Sequence, residues 1–341
     1  MKLIVQIPCL NEEKTLPVTI GDIPRSIPGI DEVEILIIDD GSSDRTVEVA
    51  KECGVNHIVK IPQTKGLANG FKAGIDACLR LGADIIVNTD GDNQYKGQDI
   101  PKLVQPILEY KAEMVIGDRQ VNTIDHFSDT KKFLQKFGSW VVRLASATDV
   151  PDTTSGFRAY SRDAALKINV LSEFTYTLET IIQAGQKNII VSHVPIGTNE
   201  KLRESRLFKS IRDYISRSVV TIVRIYTMYR PLKVFMRLGA ILFGLGFLLG
   251  LRYLYFMFNE SGQGHIQSLI LTTILIVMGF QVWVFGLLAD LISANRKLNE
   301  ETLYRVRKLE LDNYSLKQTF DMVAATIEKT PVNDRNFCKR N

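Results

Sequence analysis

Two carboxylates separated by one glycine, Asp90-Gly91-Asp92, follow the β-rich run Asp84–Thr89. Such a pair suits a hard divalent cation, Mg2+ or Mn2+, which takes oxygen ligands and completes its shell with phosphates. Gln94 adds a neutral oxygen able to ligate the ion or orient water, and Gly91 leaves room for a diphosphate to approach the backbone. Asp92, farther from the strand end, is the preferred direct ligand over Asp90. Two other polar loops share this character, Pro8-Cys9-Leu10-Asn11-Glu12-Glu13 and Asp39-Asp40-Gly41-Ser42-Ser43-Asp44. Asp39 and Asp40 occupy successive strand-end positions and should diverge, so one can bond a base or ribose while the other closes its loop. Any one of these loops also reads as an ordinary turn or helix cap. Their shared position after strands is what gives them weight.

Further along, Lys65-Gly66 offers a positive side chain and a flexible turn. Asp152-Thr153-Thr154-Ser155-Gly156-Phe157-Arg158 offers a carboxylate to organise a reaction centre and an arginine to pair with a carboxylate. Arg203, Ser205 and Arg206 can clamp an anionic phosphate through charge-assisted bonds, although attraction to a membrane surface explains the same arginines. Cys9, Cys53, Cys78 and Cys338 form neither a close pair nor a zinc pattern, and Cys9 and Cys78 sit in apolar patterns as small buried residues.

The elements that must position these residues form an α/β series. Leu3–Ile7, Val33–Ile38, His57–Ile61, Ile85–Asn88 and Met114–Gly117 read as strands of a mainly parallel sheet. Helices are expected at Glu12–Ile23, with Asn11 as cap, at Asp44–Cys53, with Ser43 as cap, and at Gly66–Leu81 and Ile100–Tyr110. Sheets of this type bind ligands beyond the carboxyl ends of their strands, where all three polar loops fall. The second half predicts a helix over Thr130–Ala147, a strand over Gly156–Ser161, a helix over Thr175–Ala184 and a strand over Asn188–Pro195. Leu207–Tyr229 then reads as a basic amphipathic helix, lying at a membrane interface or packed on the sheet.

Two apolar runs follow. Leu238–Leu251 extends to Phe258 through Arg252, which must reach a headgroup region or face protein. Ile266–Ala289 carries no formal charge and is long enough, at 1.5 Å per residue, for a hydrocarbon core of ~30 Å. The connecting loop has no Lys or Arg. Basic residues lie outside both runs, Arg230, Lys233 and Arg237 before and Arg296, Lys297 and Arg305 after, so the positive-inside rule puts both termini in the cytoplasm. Gly239, Gly244, Gly246 and Gly250 would permit close helix approach and hence a homo-oligomer. From Asn299 onward the chain is polar and mixed in charge, and a helix is expected near Glu300–Leu311. The net charge of +4 is modest and has no nucleic-acid-like tract. The first residues, Met1-Lys2-Leu3-Ile4-Val5, are too short an apolar run for a signal peptide.

Together, Pro8–Glu13, Asp39–Thr46, Thr89–Gln94 and Ser155–Arg158 resemble the family 2 glycosyltransferases. With the hairpin, the chain is similar to the polyprenyl-phosphate hexose transferases, including dolichyl-phosphate mannose synthase-like enzymes. That group often has alanine at the place of Gly91 and Ser-Lys where this chain has Ser205-Arg206. The resemblance implies a GT-A fold, a Rossmann-like, mainly parallel mixed sheet, followed by interfacial helices and two transmembrane helices. The expected division is a catalytic domain at 1–205, a juxtamembrane region at 206–232, a membrane hairpin at 233–292 and a C-terminal helix and tail at 293–341. By the same resemblance, Pro8, Asn11, Glu13 and Asp39 shape the nucleotide site, and Asp90, Asp92 and Gln94 form the metal-diphosphate region. Asp152 falls to the reaction centre and Arg203 with Arg206 to phosphate. The implied reaction moves a hexose, with UDP-glucose the preferred donor, to polyprenyl phosphate with inversion. Transfer to another membrane-associated glycan or lipid, and a noncatalytic nucleotide-sugar sensor or scaffold, are the competing readings.

Overall fold

The computed structural model describes residues 1–120, 142–143, 146, 148–172, 176–200, 211–259 and 266–329. Most of the helix expected over Thr130–Ala147, the Arg203-Glu204-Ser205-Arg206 segment, most of the hairpin loop and the last residues of the tail lie outside them.

Among the described residues, seven strands form one sheet in the order β3-β2-β1-β4-β6-β5-β7. They are β1 (Lys2–Cys9), β2 (Glu32–Asp39), β3 (His57–Lys60), β4 (Ile85–Asn88), β5 (Met114–Asp118), β6 (Arg158–Ser161) and β7 (Val191–Pro195). β1 pairs in parallel with both β2 and β4, whereas β6 runs antiparallel between β4 and β5. The central strands are buried on both faces, which is why they read as apolar runs. Side chains alternate across β1: Leu3, Val5 and Ile7 join one core, and Ile4 joins the other.

The first of these cores is covered by α1 (Leu16–Gly21) and α4 (Ile100–Leu108). α2 (Thr46–Glu52) adds Ala50 to it. The second is covered by α3 (Leu67–Arg80), α5 (Arg162–Lys167), α6 (Thr177–Gln186) and α7 (Ile211–Tyr229). α3 lies close to the sheet because Gly74 has no side chain: a Cβ there would stand 2.3 Å from Gln6 Oε1 and 2.8 Å from Ile38 Cδ1.

Two helix starts differ from expectation. α1 begins at Leu16, because Asn11 adopts a left-handed φ of 57° and residues 12–15 form a turn. Asn11 is therefore a loop residue, not the cap. α2 begins at Thr46, and Asp44 Oδ1, not Ser43, accepts the Thr46 N–H at 3.0 Å.

α7 packs on the α/β domain, as one of the two readings of its segment expects. Ile222, Ile225 and Tyr229 are buried in the catalytic-domain core, while Val219, Val220 and Val223 are exposed on the outer side.

α8 (Pro231–Asn259) and α9 (Ile266–Lys329) are both long and apolar enough to cross a membrane. Glycines bring them together. A Cβ at Gly239 would meet Trp283 Cδ1 at 2.4 Å, and one at Gly246 would meet Leu275 and Ile276 at 3.0 Å. Gly250 faces Thr272 in the same way, and only Gly244 of the four meets nothing within 4 Å. Gly239, Gly246 and Gly250 thus serve packing within the hairpin, which removes them as a signal of association between copies.

The expected break between hairpin and tail is absent. α9 runs unbroken for 64 residues, so the tail helix near Glu300–Leu311 is its continuation. This C-terminal part docks on the α/β domain: Tyr304 donates to Asp163 at 2.7 Å, Arg80 pairs with Glu310 at 2.8 Å, and Leu311 is buried. Nearer the apolar stretch, Glu300 accepts from Tyr229 and pairs with Arg296 and Lys187.

Gly74→Ala should destabilise the α/β domain by ~1–3 kcal/mol through overpacking, read as a lowered thermal unfolding midpoint of the full chain in detergent.

Candidate active site

Parallel register places the three polar loops side by side. Cys9 pairs with Asp39 across β1 and β2, and Gln6 pairs with Asn88 across β1 and β4. The loops after β1 and β2 are then stitched together. Asn11 Oδ1 accepts the Ser43 N–H at 2.8 Å, Ser42 Oγ accepts the Asn11 N–H at 2.9 Å, and Glu13 Oε2 accepts the Arg45 N–H at 3.1 Å. Thr46 Oγ1 accepts from the Glu12 N–H at 2.8 Å. Asn11 and Glu13 therefore shape the rim by holding two loops to each other.

Asp39 and Asp40 diverge as expected. Asp40 closes a loop, its two oxygens accepting the Lys65 and Gly66 N–H groups, each at 2.8 Å. Asp39, at the end of β2, accepts the Ser42 N–H at 3.0 Å through Oδ1. Pro8 lies at the adjoining end of β1, its Cβ 3.7 Å from where a Gly70 Cβ would stand.

The Asp90-Gly91-Asp92 loop is anchored to α1. Gly91 O accepts from Thr15 Oγ1 at 2.8 Å and from Thr19 Oγ1 at 3.3 Å. A Cβ at Gly91 would approach Cys9 Sγ to 3.1 Å and Glu12 Cγ to 3.4 Å. The small residue thus allows close contact with the β1 loop. Asp92 Oδ1 accepts the Gln94 N–H at 3.2 Å, fixing the turn that carries both residues.

Beneath Asp90 lies a buried polar chain. Gln6 Nε2 donates to Asn88 Oδ1 at 2.9 Å, and Asn88 Nδ2 donates to Gly156 O at 2.9 Å and Tyr176 OH at 2.8 Å. Tyr95 OH accepts the Gly156 N–H at 2.9 Å. Tyr176 is held in place by stacking on Phe71, ring centroids 4.0 Å apart. Gly156 is thereby fixed against Asp90: a Cβ would lie 3.1 Å from both carboxylate oxygens. Burial, offset in part by Arg119, pushes the Tyr95 hydroxyl up to about 12, so it stays a neutral hydrogen-bonding group.

Asp152 is buried and gripped by Arg119, whose Nε reaches Oδ2 at 2.7 Å and whose Nη2 reaches Oδ1 at 2.9 Å. Arg119 also donates to Thr154 Oγ1 at 2.7 Å. Burial disfavours the Asp152 charge, but Arg119 outweighs it and holds the carboxyl below its usual range. Such a carboxylate is a poor proton acceptor, so Asp152 positions its loop and Arg119. Arg158 differs from expectation: it is fully buried and donates to the Ser155, Thr177 and Thr153 carbonyls and to Thr180 Oγ1, not to a carboxylate. Its charge is spent organising the backbone around Gly156.

The thiols of Cys9 and Cys78 are buried and pushed up by burial, in keeping with packing roles. A groove of ≈350 Å³ beside α3 touches the rim only at Lys65, and Asp90, Asp92 and Asp152 do not line it. Arg203, Ser205 and Arg206 lie outside the described residues. Residues that sequence reasoning passed over are Arg119, Tyr95, Asn88, Tyr176, Thr15 and Thr19. Arg119 had a signal, being a basic residue directly after β5, at the sheet edge where antiparallel β6 begins.

A cation fits this donor set. Asp90, Asp92 and Gln94 offer oxygen atoms only, as Mg2+ or Mn2+ prefers. Among the described residues no three His, Cys, Asp or Glu side chains converge. The protein would thus supply part of the shell, and phosphate and water the rest.

The mixed sheet, its acidic strand ends and the apolar hairpin define a GT-A glycosyltransferase with two helices long and apolar enough to cross a membrane. A model for "Glycosyl transferase family 2" matches residues 4–168, and one for the "GtrB C-terminal hairpin" matches 230–294. The chain is 31% identical over 216 residues to UDP-N-acetylglucosamine–dolichyl-phosphate N-acetylglucosaminyltransferase of Methanococcus voltae, covering 56% of this chain and 83% of that one. It is 27% identical over 211 residues to polyprenol monophosphomannose synthase of Mycolicibacterium smegmatis, covering 59% and 78%. Among solved structures, glucosyl-3-phosphoglycerate synthase from Mycobacterium tuberculosis superposes with a TM-score of 0.52 at 19% identity, covering 66% of this chain and 78% of that one. The chain belongs to glycosyl transferase family 2.

Gly156→Ala should displace Asp90 or Tyr176 and lower transferase turnover more than it lowers the unfolding midpoint. Asp152→Asn leaves Arg119 buried without its charge partner and should cost ~3–5 kcal/mol, measured by chemical denaturation. The sign with pH follows from the lowered carboxyl. Its stabilisation is complete above the unfolded value of ~3.9 and is lost as pH falls through the folded value. The variant's stability should therefore converge on the parent's only in acid.

Proposed function

We propose that this glycosyltransferase moves a hexose from a nucleotide-diphosphate sugar to polyprenyl phosphate, with inversion, giving a polyprenyl-phospho-sugar. The observation that carries the reading is a single chain with a carboxylate-lined sheet rim and an apolar hairpin whose second helix docks on the same catalytic domain. A polar donor reaches the rim from water, and the acceptor's tail stays in lipid. The names of the M. voltae and M. smegmatis relatives, which pair a sugar with a dolichyl phosphate or a polyprenol, support the acceptor class.

In this reading, Pro8, Asn11, Glu13 and Asp39 form the wall against the nucleoside, and Asp90, Asp92 and Gln94 would hold the divalent cation. When bound, that cation would neutralise charge on the nucleotide diphosphate. Arg203, Ser205 and Arg206 take the acceptor phosphate. An oxygen of that phosphate attacks the anomeric carbon while the bond to the nucleotide diphosphate breaks, its electron pair leaving with the diphosphate. The acceptor needs no strong base, since the second pKa of a phosphate monoester is ~6. That matches an Asp152 whose carboxylate is committed to Arg119. The catalytic domain and both termini face the cytoplasm, following the basic flanks.

UDP-glucose is the first donor to test, within a panel that includes mannosyl and N-acetylglucosaminyl nucleotides. Full-length protein with Mg2+ or Mn2+, polyprenyl phosphate and this panel should yield one glycolipid by mass analysis. Product on a different membrane glycan, or nucleotide-sugar binding without transfer, would replace this reading. Asp92→Asn should lower transfer at least ~10²-fold with membrane insertion intact, and unchanged turnover would remove Asp92 from the cation site.

A further inference from the structure

Beyond the membrane, α9 presents two faces. One carries Ser293, Arg296, Glu300, Tyr304, Arg307 and Leu311, and it is committed to the catalytic domain or to α7. The opposite face repeats apolar residues at alternating three- and four-residue steps. Val306, Leu309 and Leu316 are 53%, 63% and 57% exposed, with Asn313 between them, and Phe320, Val323 and Ile327 continue the spacing in the sequence. That is a coiled-coil seam, with Val306, Asn313 and Phe320 at a and Leu309, Leu316 and Val323 at d. We propose that this seam pairs with the same seam of a second copy of the chain, as a parallel two-stranded coiled coil.

The flanking charges argue for a second copy as the occupant. In a parallel pair each g residue faces the e residue of the next heptad on the other helix. Here Arg305 at g, exposed beside Glu301, would meet Glu310 of the second copy, whose Oε1 is on Arg80 and whose Oε2 would take the contact. The pair is opposite in sign and self-complementary. A β-branched residue at a with leucine at d favours two strands, and an asparagine at a pairs with itself and fixes register. The membrane supplies the orientation: copies inserted the same way raise their stalks in parallel from one plane. Lipid is a poor occupant, because at 1.5 Å per residue Leu309 lies about 30 Å along the helix from Ala289. The docked face is opposite the seam, so two catalytic domains would sit outside the pair without clashing through it.

The test uses full-length protein in detergent, in a Cys338→Ser background. Leu309→Cys, at a d position, should cross-link to a covalent dimer under mild oxidation, whereas Lys308→Cys, exposed beside the seam, should not. Light scattering should give a mass that falls by half in Leu309→Asp/Leu316→Asp. Arg305→Glu should weaken association, since it would set like charges against Glu310 of the second copy. Since these side chains lie off the docked face, circular dichroism and the catalytic-domain unfolding midpoint should stay at parent values in every variant. Equal cross-linking at 308 and 309, a monomeric parent, or a mass unchanged by the double aspartate variant would overturn the seam.

Discussion

Parallel pairing of β1 with β2 on one side and β4 on the other is the constraint on which the site depends. Once Cys9 lies beside Asp39 and Gln6 beside Asn88, the three loops that leave these strands must emerge at one edge. Hydrogen bonding does the rest. Asn11, Glu13 and Thr46 tie the first two loops together, and Thr15 and Thr19 tie the third to α1. A one-residue slip in β1 would turn its apolar side chains to the wrong faces and separate these pairs, so register links core packing directly to site geometry.

The antiparallel strand β6 brings in the other half of the site. It enters after Gly156, a residue clamped by Asn88, Tyr95 and Tyr176 and pressed against Asp90. Arg158 satisfies carbonyls around that clamp, and Arg119 holds Asp152 on the adjoining loop. Buried polar groups of this kind are costly unless fully paired. Here they convert charge into backbone order: two arginines that a surface reading would assign to ligands are spent on fixing a loop.

Much of the architecture was legible because its signals are local. Apolar runs with polar strand ends gave the parallel half of the sheet, and uncharged length gave the hairpin. Asp90, Asp92 and Asp39 were legible as strand-end carboxylates. What escaped was set by long-range partners. The role of Arg158 depends on carbonyls at Thr153 and Thr177, and that of Asp152 on Arg119, thirty-three residues away. Helix starts slipped because the left-handed backbone of Asn11 turns an apparent cap into a loop residue. The unbroken α9 was missed because a drop in hydropathy after Ala289 marks the end of a span, not the end of a helix.

α9 couples the two parts of the chain: it forms half of a glycine-packed hairpin long and apolar enough to cross a membrane and continues across the catalytic domain through Glu300, Tyr304 and Leu311. A rim tied to such a hairpin is what the proposed transfer, from a water-soluble donor to a lipid-borne acceptor, requires of one enzyme. The acidic rim is where that chemistry stands or falls. Calorimetric titration of UDP and of GDP into the full-length chain, with Mn2+ and again under excess chelator, tests it most directly. Binding of one nucleotide that weakens at least ~10-fold, about 1.4 kcal/mol, on removing the cation is the predicted result. Equal affinity with and without the cation, or no binding of either nucleotide, would contradict it.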